Sequence, residues 1–478
     1  MAKEVSPGVL ALRKVVEDVY ADARVAKKEG KLVGWSSSKF PCELAEAFGL
    51  NVMYPENQAA GIAANRDGEI MCKAAEDLGF DNDICGYTRI SLAYAAGKRA
   101  SRKVDLETGE YVINPNSGKP LKDENGKVVM GEDGKPVKDP KTMQPYTVLD
   151  DIHEIEALPD GREKDLRRAA IKPYRQMQMP QPDFVLCCNN ICNCMTKWYE
   201  NIARMCNVPL IMIDIPYNNT VEVHDTNVAY VRAQFDHAIK QLEELTGKKF
   251  DEKKFEEACA NANRTASAWL RVCDYLQYKP APYSGFDLFN HMADVVTARG
   301  RVQAAEAFEQ LEKDLAEAVK TGKSTTPFPE KYRVMFEGIP CWPKLPNLFK
   351  PLKEHGVNVT AVVYAPAFGF VYNNMDEMVR AYYKAPNSVC IEQGVSWREG
   401  ICKDNKVDGV LVHYNRSCKP WSGYMAEMQR RFTEDLGIPC AGFDGDQADP
   451  RNFNEAQYET RVQGLVEAME ANAENKEG

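Results

Sequence analysis

The chain lacks several features that mark familiar classes of protein. Its 478 residues carry 60 Lys and Arg against 70 Asp and Glu, and a net charge of −10 argues against a nucleic-acid partner. Its longest apolar stretches, such as residues 361–370, are far shorter than the roughly 18–20 residues of a membrane span. The first residues contain no compact apolar segment followed by a cleavage site. We therefore expect a cytoplasmic protein that binds neither nucleic acid nor membrane.

Cysteine is abundant, yet its arrangement fits neither a disulfide framework nor a common zinc site. The 15 cysteines are an odd number in a long chain without a secretory signal, which favours reduced thiols. No Cys-x-x-Cys pair occurs, and the six histidines stand apart from the cysteine-rich loop, so structural zinc is disfavoured. Reduced thiols, some of them metal ligands, are the better interpretation.

Hydrophobic patterning predicts repeated strand, helix, strand units. After an amphipathic helix over about residues 9–28, a strand at 31–38, a helix at 41–49 and a strand at 50–54 form one βαβ unit. Residues 331–365 follow the same order. The repetition predicts two similar α/β domains.

Two further segments differ in pattern from these units. Residues 220–329 contain three stretches of helical periodicity, which predict a helical domain between α/β domains at 1–219 and 330–478. In residues 101–148, glycines recur every eight or nine residues within polar turns, which predicts a surface β-hairpin insertion. The predicted fold is therefore α/β, with two similar βαβ-type domains facing a cleft, a helical domain and a hairpin insertion.

A second repeat places two cysteines at equivalent positions. Residues 183–216 and 408–446 each run from an apolar strand through a loop ending in Asn-x-x-Cys to a helix and a further strand. The two cysteines are Cys192 and Cys418. Open α/β sheets bind ligands at the carboxyl ends of their strands, so facing domains would bring these thiols to one cleft. The alternative is ordinary βαβ patterning with both cysteines as buried apolar residues.

A third thiol for such a site would come from Cys85, which lies between an acidic turn and a helical stretch. Thiolates hold iron–sulfur clusters, and a cluster with three protein thiolates keeps one iron open to act as a Lewis acid. The crowded run of Cys187, Cys188, Cys192 and Cys194 leaves other metal-ligand spacings open. The residues therefore indicate a metal site without identifying the metal.

Long runs of the chain resemble a known family. They include YPENQAAGIAANRDGE, NDICGYTRISLAYAAG, LCCNNICNCMTKWYEN and VHYNRSCKPWSGYM. On these motifs the chain resembles the 2-hydroxyacyl-CoA dehydratases, a family that also includes benzoyl-CoA reductase. The resemblance covers nearly the whole length, and the insertion at about residues 101–148 is typical of one subfamily.

The resemblance implies a cofactor and a set of partners. In that family each subunit of a heterodimer holds a [4Fe–4S] cluster through three cysteines, which correspond here to Cys85, Cys192 and Cys418, with Cys188 as the alternative second ligand. The resemblance also implies a β subunit, an ATP-dependent iron–sulfur activator protein and an acyl-CoA substrate, and it leaves open whether FMN is bound. The implied reaction is dehydration of (R)-2-hydroxyglutaryl-CoA to (E)-glutaconyl-CoA through a ketyl radical.

Ser38 and Glu56 are the candidate catalytic residues. Ser38 ends the first predicted strand and Glu56 follows the second, so both should lie at the ligand-binding edge of the sheet. The resemblance implies that a Ser and a Glu at these positions stand near the open iron and act in substrate binding or proton transfer. The alternative assigns Ser38 to capping the next helix and Glu56 to a solvated loop.

Three weaker candidates carry alternatives of their own. The loop at 338–341 precedes a helix that would bind a phosphate or carboxylate, or it is only a structural turn. Asp444 and Asp446 form a metal pair or an ordinary turn. His413 approaches the cluster, or it is a hydrogen-bonded core residue.

The sequence leaves three alternative functions. One is an ATP-coupled reductase of the benzoyl-CoA type, in which the electron ends in the product. Another is a dehydratase for a different 2-hydroxyacyl-CoA, and the third is an iron–sulfur electron carrier without a substrate pocket. Product analysis separates the reductase from the dehydratases, and acyl-CoA binding separates the electron carrier from both.

Overall fold

Short apolar strands form two parallel sheets in the computed structural model, which describes residues 5–172 and 178–477. In spatial order the first sheet contains β2 (Asn51–Met53), β1 (Val33–Ser36), β5 (Phe184–Cys188) and β6 (Leu210–Ile213). β1 and β5 are buried along their whole length, because helices cover both faces of a parallel sheet.

The second sheet repeats the strand order of the first. It contains β8 (Val357–Val362), β7 (Tyr332–Glu337), β9 (Gly409–Asn415) and β10 (Cys440–Gly445), again all parallel. In each sheet the first strand in the chain lies between the second and the third. The prediction of an α/β protein with parallel sheets is confirmed.

Helices pack around both sheets and contain most of the regular structure. No helix among the described residues is long and apolar enough to cross a membrane. The helices are α1 (Pro7–Lys28), α2 (Cys42–Ala47), α3 (Pro55–Ala64), α4 (Gly68–Asp77), α5 (Gly86–Ala95), α6 (Ile152–Ala157), α7 (Arg162–Ala170), α8 (Cys194–Cys206), α9 (Asp225–Thr246), α10 (Glu252–Asp274), α11 (Gly285–Ala298), α12 (Val302–Thr321), α13 (Leu345–Glu354), α14 (Met375–Tyr383), α15 (Ile391–Asp404), α16 (Lys419–Ser422), α17 (Met425–Leu436) and α18 (Glu455–Glu477).

The four helices α9 to α12 occupy the segment predicted to be a helical domain. α9 packs on β6 and α14, whereas α10 packs on α12 and α2. α11 contacts β8 of the second sheet, and α1 joins the group through α11 and α12. These helices therefore bridge the two sheets, and the domain boundaries at 1–219, 220–329 and 330–478 stay a prediction.

The glycine-punctuated segment is an exposed antiparallel extension. It starts and ends with β3 (Lys98–Arg102) and β4 (Thr147–Asp151), which pair antiparallel. Isolated bridges between the strands continue the ladder outward, for example Lys122 with Val128. The φ angles of its turn glycines lie in the left-handed region, where a side chain would be strained; these are Gly109, Gly118, Gly126 and Gly134.

Candidate functional site

Loops from three parts of the chain bring cysteines to one cavity, which we name the thiol cavity. Cys192 lies in the loop after β5, Cys418 lies in the loop after β9, and Cys85 directly precedes α5. All three line a cavity of about 240 Å³, and Cys194, the first residue of α8, lines it as well. Four thiols therefore surround one space.

The thiols of this cavity influence one another's protonation. Burial raises the pKa of Cys85 well above its usual range, the nearby charges of Cys194, Cys418 and Cys192 raise it further, and a hydrogen bond from the Thr88 N–H opposes the rise. Burial likewise raises the pKa of Cys192, with Cys194 and Cys418 adding to the shift. Burial raises the pKa of Cys418 to about 12. Cys85, Cys192 and Cys418 are therefore neutral unless a cation stabilises their thiolates.

The donor set of the thiol cavity fits an iron–sulfur cluster better than a single ion. Among the described residues, no three His, Cys, Asp or Glu side chains stand close enough to hold one metal ion. Cys85 and Cys418 each directly precede a helix and Cys194 begins one, and helix N-termini favour thiolate charge. Sulfur-only ligands are typical of iron–sulfur clusters and disfavour hard cations.

Cys85 is held in place by the loops after β9 and β10. Gln447 Nε2 donates to Cys85 Sγ at 3.2 Å, and the Gly86 N–H donates to Ser417 Oγ at 2.9 Å. A Cβ atom on Gly86 would lie 2.7 Å from Asp446 Oδ1, so only glycine allows this approach. The position of Cys85 thus depends on the second sheet, although its own helix packs on α3, α4 and α8.

A buried ion-pair network joins the same two parts of the molecule. Arg89 of α5 is fully buried, and its guanidinium pairs with Asp449 at 3.0 Å and with Glu76 at 2.7 Å. Asp446 Oδ1 accepts the backbone N–H groups of Ala448 and Asp449 at 2.8 and 2.9 Å. Asp444 is exposed. Asp446 therefore belongs to the turn after β10, whereas Asp444 lies within that strand with its side chain exposed.

Cys188, the alternative second ligand, lies away from the other candidate ligands. Its Sγ donates to Asn190 Oδ1 at 2.9 Å, and its backbone N–H donates to Ser37 Oγ at 3.1 Å. Its thiol is fully buried in the sheet core. The structure brings Cys192, and not Cys188, to the cavity that contains Cys85 and Cys418.

A second and larger cavity contains both candidate catalytic residues, and we name it the carboxylate cavity. Its volume is about 360 Å³, with Ser38 in the turn after β1 and Glu56 in the first turn of α3. Glu56 Oε1 accepts the Ser38 N–H at 2.9 Å, and Oε2 accepts the Tyr199 hydroxyl. Burial raises the pKa of Glu56, and these bonds oppose the rise. Glu56 is thus an oriented, half-buried acid and not a solvated one.

Ser38 does not cap the helix that follows it. α2 begins at Cys42 after Pro41, and no side chain caps its first N–H groups. The backbone of Ser38 instead holds Glu56, and the Ser38 hydroxyl also hydrogen-bonds to that carboxylate and lowers its pKa. The two predicted catalytic residues are therefore hydrogen-bonded to each other.

Two tyrosines lie between the carboxylate cavity and the thiol cavity. Tyr87 and Tyr364 line the carboxylate cavity, and Tyr87 follows Cys85 by two residues. Burial raises the pKa of Tyr364, and the charges of Cys418, Glu56 and Cys85 add to that shift. The two cavities are neighbours, because Tyr87 lines the carboxylate cavity while Cys85 and Thr88 line the thiol cavity.

One face of α3 forms a wall of the carboxylate cavity. Most of its members have small or amide side chains; they are Glu56, Asn57, Ala60, Gly61, Ala64 and Asn65. At the outer end, Arg66 is exposed and forms no ion pair with any residue that the structure describes. Glu56 and Ala64, near the two ends of α3, lie about 12 Å apart along the helix axis, and Arg66 follows in the turn beyond the helix, where its φ of 65° is left-handed. The cavity is therefore long, with a carboxylate at one end and a cation at the other.

His413 is a core residue. Its Nδ1 lies 2.5 Å from the Ile339 carbonyl oxygen, and its Nε2 lies 3.3 Å from Cys341 Sγ. Burial lowers the pKa of His413 to about 4. The loop at 338–341 serves this contact, and the following Trp342 lines the carboxylate cavity and donates to the Tyr87 hydroxyl.

Sequence reasoning did not single out Tyr199, Tyr364 or Arg66. Tyr364 comes two residues after β8, so the rule that ligands bind at strand ends would have found it. Tyr199 lies inside α8, and its contact with Glu56 follows from how that helix packs on the first sheet. No local pattern of the sequence signals such a contact.

Comparison with known proteins gives four findings. The sequence model of the 2-hydroxyglutaryl-CoA dehydratase D-component family matches residues 164–469. The chain is 74% identical over 476 residues to the α subunit of (R)-2-hydroxyglutaryl-CoA dehydratase from Acidaminococcus fermentans, covering 100% of both chains. It is 46% identical to the (R)-phenyllactyl-CoA dehydratase α subunit of Clostridium sporogenes, over 97% of this chain and 96% of the relative. A more distant relative is one of the subunits of benzoyl-CoA reductase from Thauera aromatica, 24% identical over 61% of this chain and 71% of that protein.

Proposed function

This chain belongs to the 2-hydroxyglutaryl-CoA dehydratase D-component family, and from that premise we propose that it is the α subunit of a hydro-lyase that acts on a 2-hydroxyacyl-CoA. We propose (R)-2-hydroxyglutaryl-CoA as the substrate and (E)-glutaconyl-CoA and water as the products. Identity of 74% over the full length, against 46% for the phenyllactyl-CoA relative, supports that choice. The observation that carries the proposal is the pairing of a sulfur-lined cavity with a cavity that holds an oriented carboxylate.

Cys85, Cys192 and Cys418 would hold a [4Fe–4S] cluster in the thiol cavity. Support comes from their convergence and from the sulfur-only character of the donors. When bound, such a cluster supplies single electrons and a Lewis-acidic iron, which radical dehydration of a 2-hydroxyacyl thioester requires. A β subunit fits the name of the relative as an α subunit, and an ATP-dependent activator protein would provide the electron.

The carboxylate cavity would bind the acyl-CoA along α3. The thioester end would lie at Glu56 and Tyr364, next to the thiol cavity, and the pantetheine arm would pass over the small residues of the helix. Arg66 at the outer end would then meet a phosphate of CoA. The length of about 12 Å along α3, together with the turn that carries Arg66, suits an extended pantetheine arm.

Glu56 would move the proton that dehydration requires. The substrate loses a β-hydrogen and its α-hydroxyl, so a base must accept one proton and an acid must assist the departing oxygen. Burial raises the pKa of Glu56 toward the range in which a carboxyl both holds and releases a proton. Ser38 and Tyr199 would fix the direction of the carboxyl, and the apolar wall that includes Phe368 would exclude water.

Anaerobic analysis of the chain with its partner subunit tests this proposal. Iron and acid-labile sulfide are quantified for the wild type and for Cys85→Ser, Cys192→Ser and Cys418→Ser. Cys206→Ser is the matched control, because Cys206 ends α8 and its thiol bonds to Gln181 instead of lining the thiol cavity.

Each of the three substitutions should remove one cluster from the heterodimer, whereas the control should keep full iron. Product analysis should find glutaconyl-CoA without stoichiometric use of reductant. Full iron in Cys192→Ser would contradict the ligand set. Net reduction of the substrate would favour the reductase alternative instead.

A further inference from the structure

Lys39 is a buried lysine beside the carboxylate cavity. It follows Ser38 in the turn after β1, and only 3% of its surface is exposed. Its Nζ donates to the Ala367 carbonyl oxygen at 2.5 Å and lies 4.5 Å from the ring centres of Phe368 and Phe370. Phe368 also lines the carboxylate cavity. The ring of Phe368 therefore contacts both the Lys39 amine and the space proposed for the acyl-CoA.

Lys39 has no anionic partner within residues 5–172 and 178–477. The nearest buried carboxylate, Glu43, is already used, because it accepts Arg299 Nη2 at 3.3 Å and two tyrosine hydroxyls at 2.6 and 2.9 Å. The guanidinium of Arg299 lies 4.4 Å from the centre of the Phe370 ring, which Lys39 also contacts. Two buried cationic side chains therefore share one carboxylate.

A buried cation without a counter-ion is costly for the fold. Burial lowers the pKa of Lys39 well below its usual range, and the charge of Arg299 lowers it further. An apolar side chain of similar volume at a buried ionic position is often neutral or stabilising. The lysine is therefore better explained by an anion that enters the neighbouring cavity than by a contribution to stability.

The proposed substrate carries such an anion. The acyl group of 2-hydroxyglutaryl-CoA ends in a second carboxylate, three bonds beyond the α-carbon. Glu56, at the proposed position of the reacting carbons, accepts the backbone N–H of Ser38 at 2.9 Å, and Lys39 is the next residue. Of the three N–H groups of a lysine ammonium, the Ala367 carbonyl takes one, so the others can donate to a carboxylate.

We infer that Lys39 determines substrate specificity by binding the terminal carboxylate of a dicarboxylic acyl-CoA. The inference rests on the proposed function, since that function places the acyl group beside Ser38 and Glu56. The carboxylate would enter past the edge of the Phe368 ring and accept the N–H groups that now face the two rings. An acyl chain without this carboxylate would leave the cation uncompensated.

The test compares two CoA thioesters with five-carbon acyl groups, glutaryl-CoA and valeryl-CoA. Neither has an α-hydroxyl to lose, and only glutaryl-CoA has a terminal carboxylate, so every contact with CoA is common to both. Affinities are measured by anaerobic calorimetry for heterodimers of wild type, Lys39→Met and the control Lys164→Met. Lys164 is also buried and donates to the Leu158 carbonyl oxygen at 3.0 Å, but it lies in α7 and lines neither cavity.

We expect wild type to bind glutaryl-CoA more tightly than valeryl-CoA. Lys39→Met should weaken glutaryl-CoA binding by at least about 30-fold, the lower end for truncating one partner of a buried charge pair, and leave valeryl-CoA binding unchanged. Lys164→Met should match wild type with both ligands. Lys39→Gln, whose amide can still donate to the Ala367 carbonyl, repeats the comparison if the methionine variant does not assemble.

Equal loss of affinity for both thioesters in the Lys39 variants would overturn the inference, because Lys39 would then only position the loop that carries Phe368. Unchanged binding of glutaryl-CoA would overturn it as well. Either result would leave the proposed function intact. Failure of the wild type to bind either thioester would instead contradict the proposed function itself.

Discussion

Replacing Glu56 with Gln tests whether this carboxyl moves a proton or only supports the fold. The glutamine amide has the same shape and reach as the carboxyl. Its oxygen can accept the Ser38 N–H, which lies 2.9 Å from Glu56 Oε1. Its NH2 group can donate to the Tyr199 oxygen, whose own hydrogen then goes to the Ser36 carbonyl at 3.1 Å. The contacts of residue 56 with the Ser38 N–H and with Tyr199 are therefore both retained, the second with its direction reversed.

The structural cost of Glu56→Gln should be small and the catalytic cost large. Rearranged bonds should change the free energy of unfolding by no more than about 1 kcal/mol, the net value of one hydrogen bond. Burial already favours the neutral carboxyl, so a neutral amide adds no desolvation cost. Loss of a general acid or base lowers turnover by about 10²–10⁴-fold, or about 2.7–5.4 kcal/mol of transition-state stabilisation. The two effects are thus well separated in size.

The assay compares anaerobic turnover of Glu56→Gln with wild type at saturating activator, so that electron delivery does not limit the rate. Glu69→Gln is the control, because Glu69 is a partly exposed acid in the first turn of α4 that pairs with Lys73 at 2.6 Å and lines neither cavity. Iron and sulfide content should be equal in all three proteins. Wild-type turnover in Glu56→Gln would refute the proton-transfer role, and loss of cluster would show a structural role instead.

Three further predictions concern the rest of the molecule. Arg66→Ala should weaken CoA binding about fivefold in calorimetry, because an exposed ion pair contributes about 1 kcal/mol. Binding of a pantetheine thioester without phosphate should be unaffected. Equal effects on both ligands would show that Arg66 does not bind the phosphate. Replacing residues 104–146 with a short linker should leave the iron content unchanged, because this exposed extension lies outside both cavities. Loss of iron from a soluble deletion variant would show that the extension contributes to cluster binding. The pKa of His413 falls from 6.5 to about 4 on folding, so the stability from its neutral form is present above pH 6.5 and is lost as pH falls toward 4. Between pH 7.5 and 5.5 the free energy of unfolding, measured with urea, should fall by about 1.3 kcal/mol because of His413. His413→Gln should remove that part of the pH dependence. An unchanged dependence of the unfolding free energy on pH would contradict the buried, neutral state of His413.

Residues at strand ends could be predicted from the sequence. Cys192 and Cys418 follow apolar strands, and the carboxyl ends of parallel strands meet at one edge of a sheet. The same rule puts Ser38 and Glu56 together, because β1 and β2 are neighbours in the first sheet. These positions depend only on strand patterning and on sheet geometry. A single sequence therefore sufficed for them.

The contacts that orient those residues could not be predicted in the same way. Tyr199 reaches Glu56 only because α8 packs beside β5, and no period or motif in the helix encodes that choice of partner. The boundary of the helical segment could not be predicted either. The periodicity of its helices is a local property of the sequence, whereas the elements on which those helices pack lie in both sheets. Tertiary packing decides both features.

Cys85 shows most clearly how packing completes the site. It belongs to neither sheet repeat, and its position is set by Gln447 and by the buried Arg89, whose partner Asp449 follows β10. Removing one partner from a buried ion pair costs about 3–5 kcal/mol, because the other charge stays buried without compensation. α5 is therefore bound firmly to the second sheet, and Cys85 is carried with it. It follows that the thiol cavity exists only when both sheets are assembled, so the ability to hold a cluster is tied to the docking of the two halves of the chain.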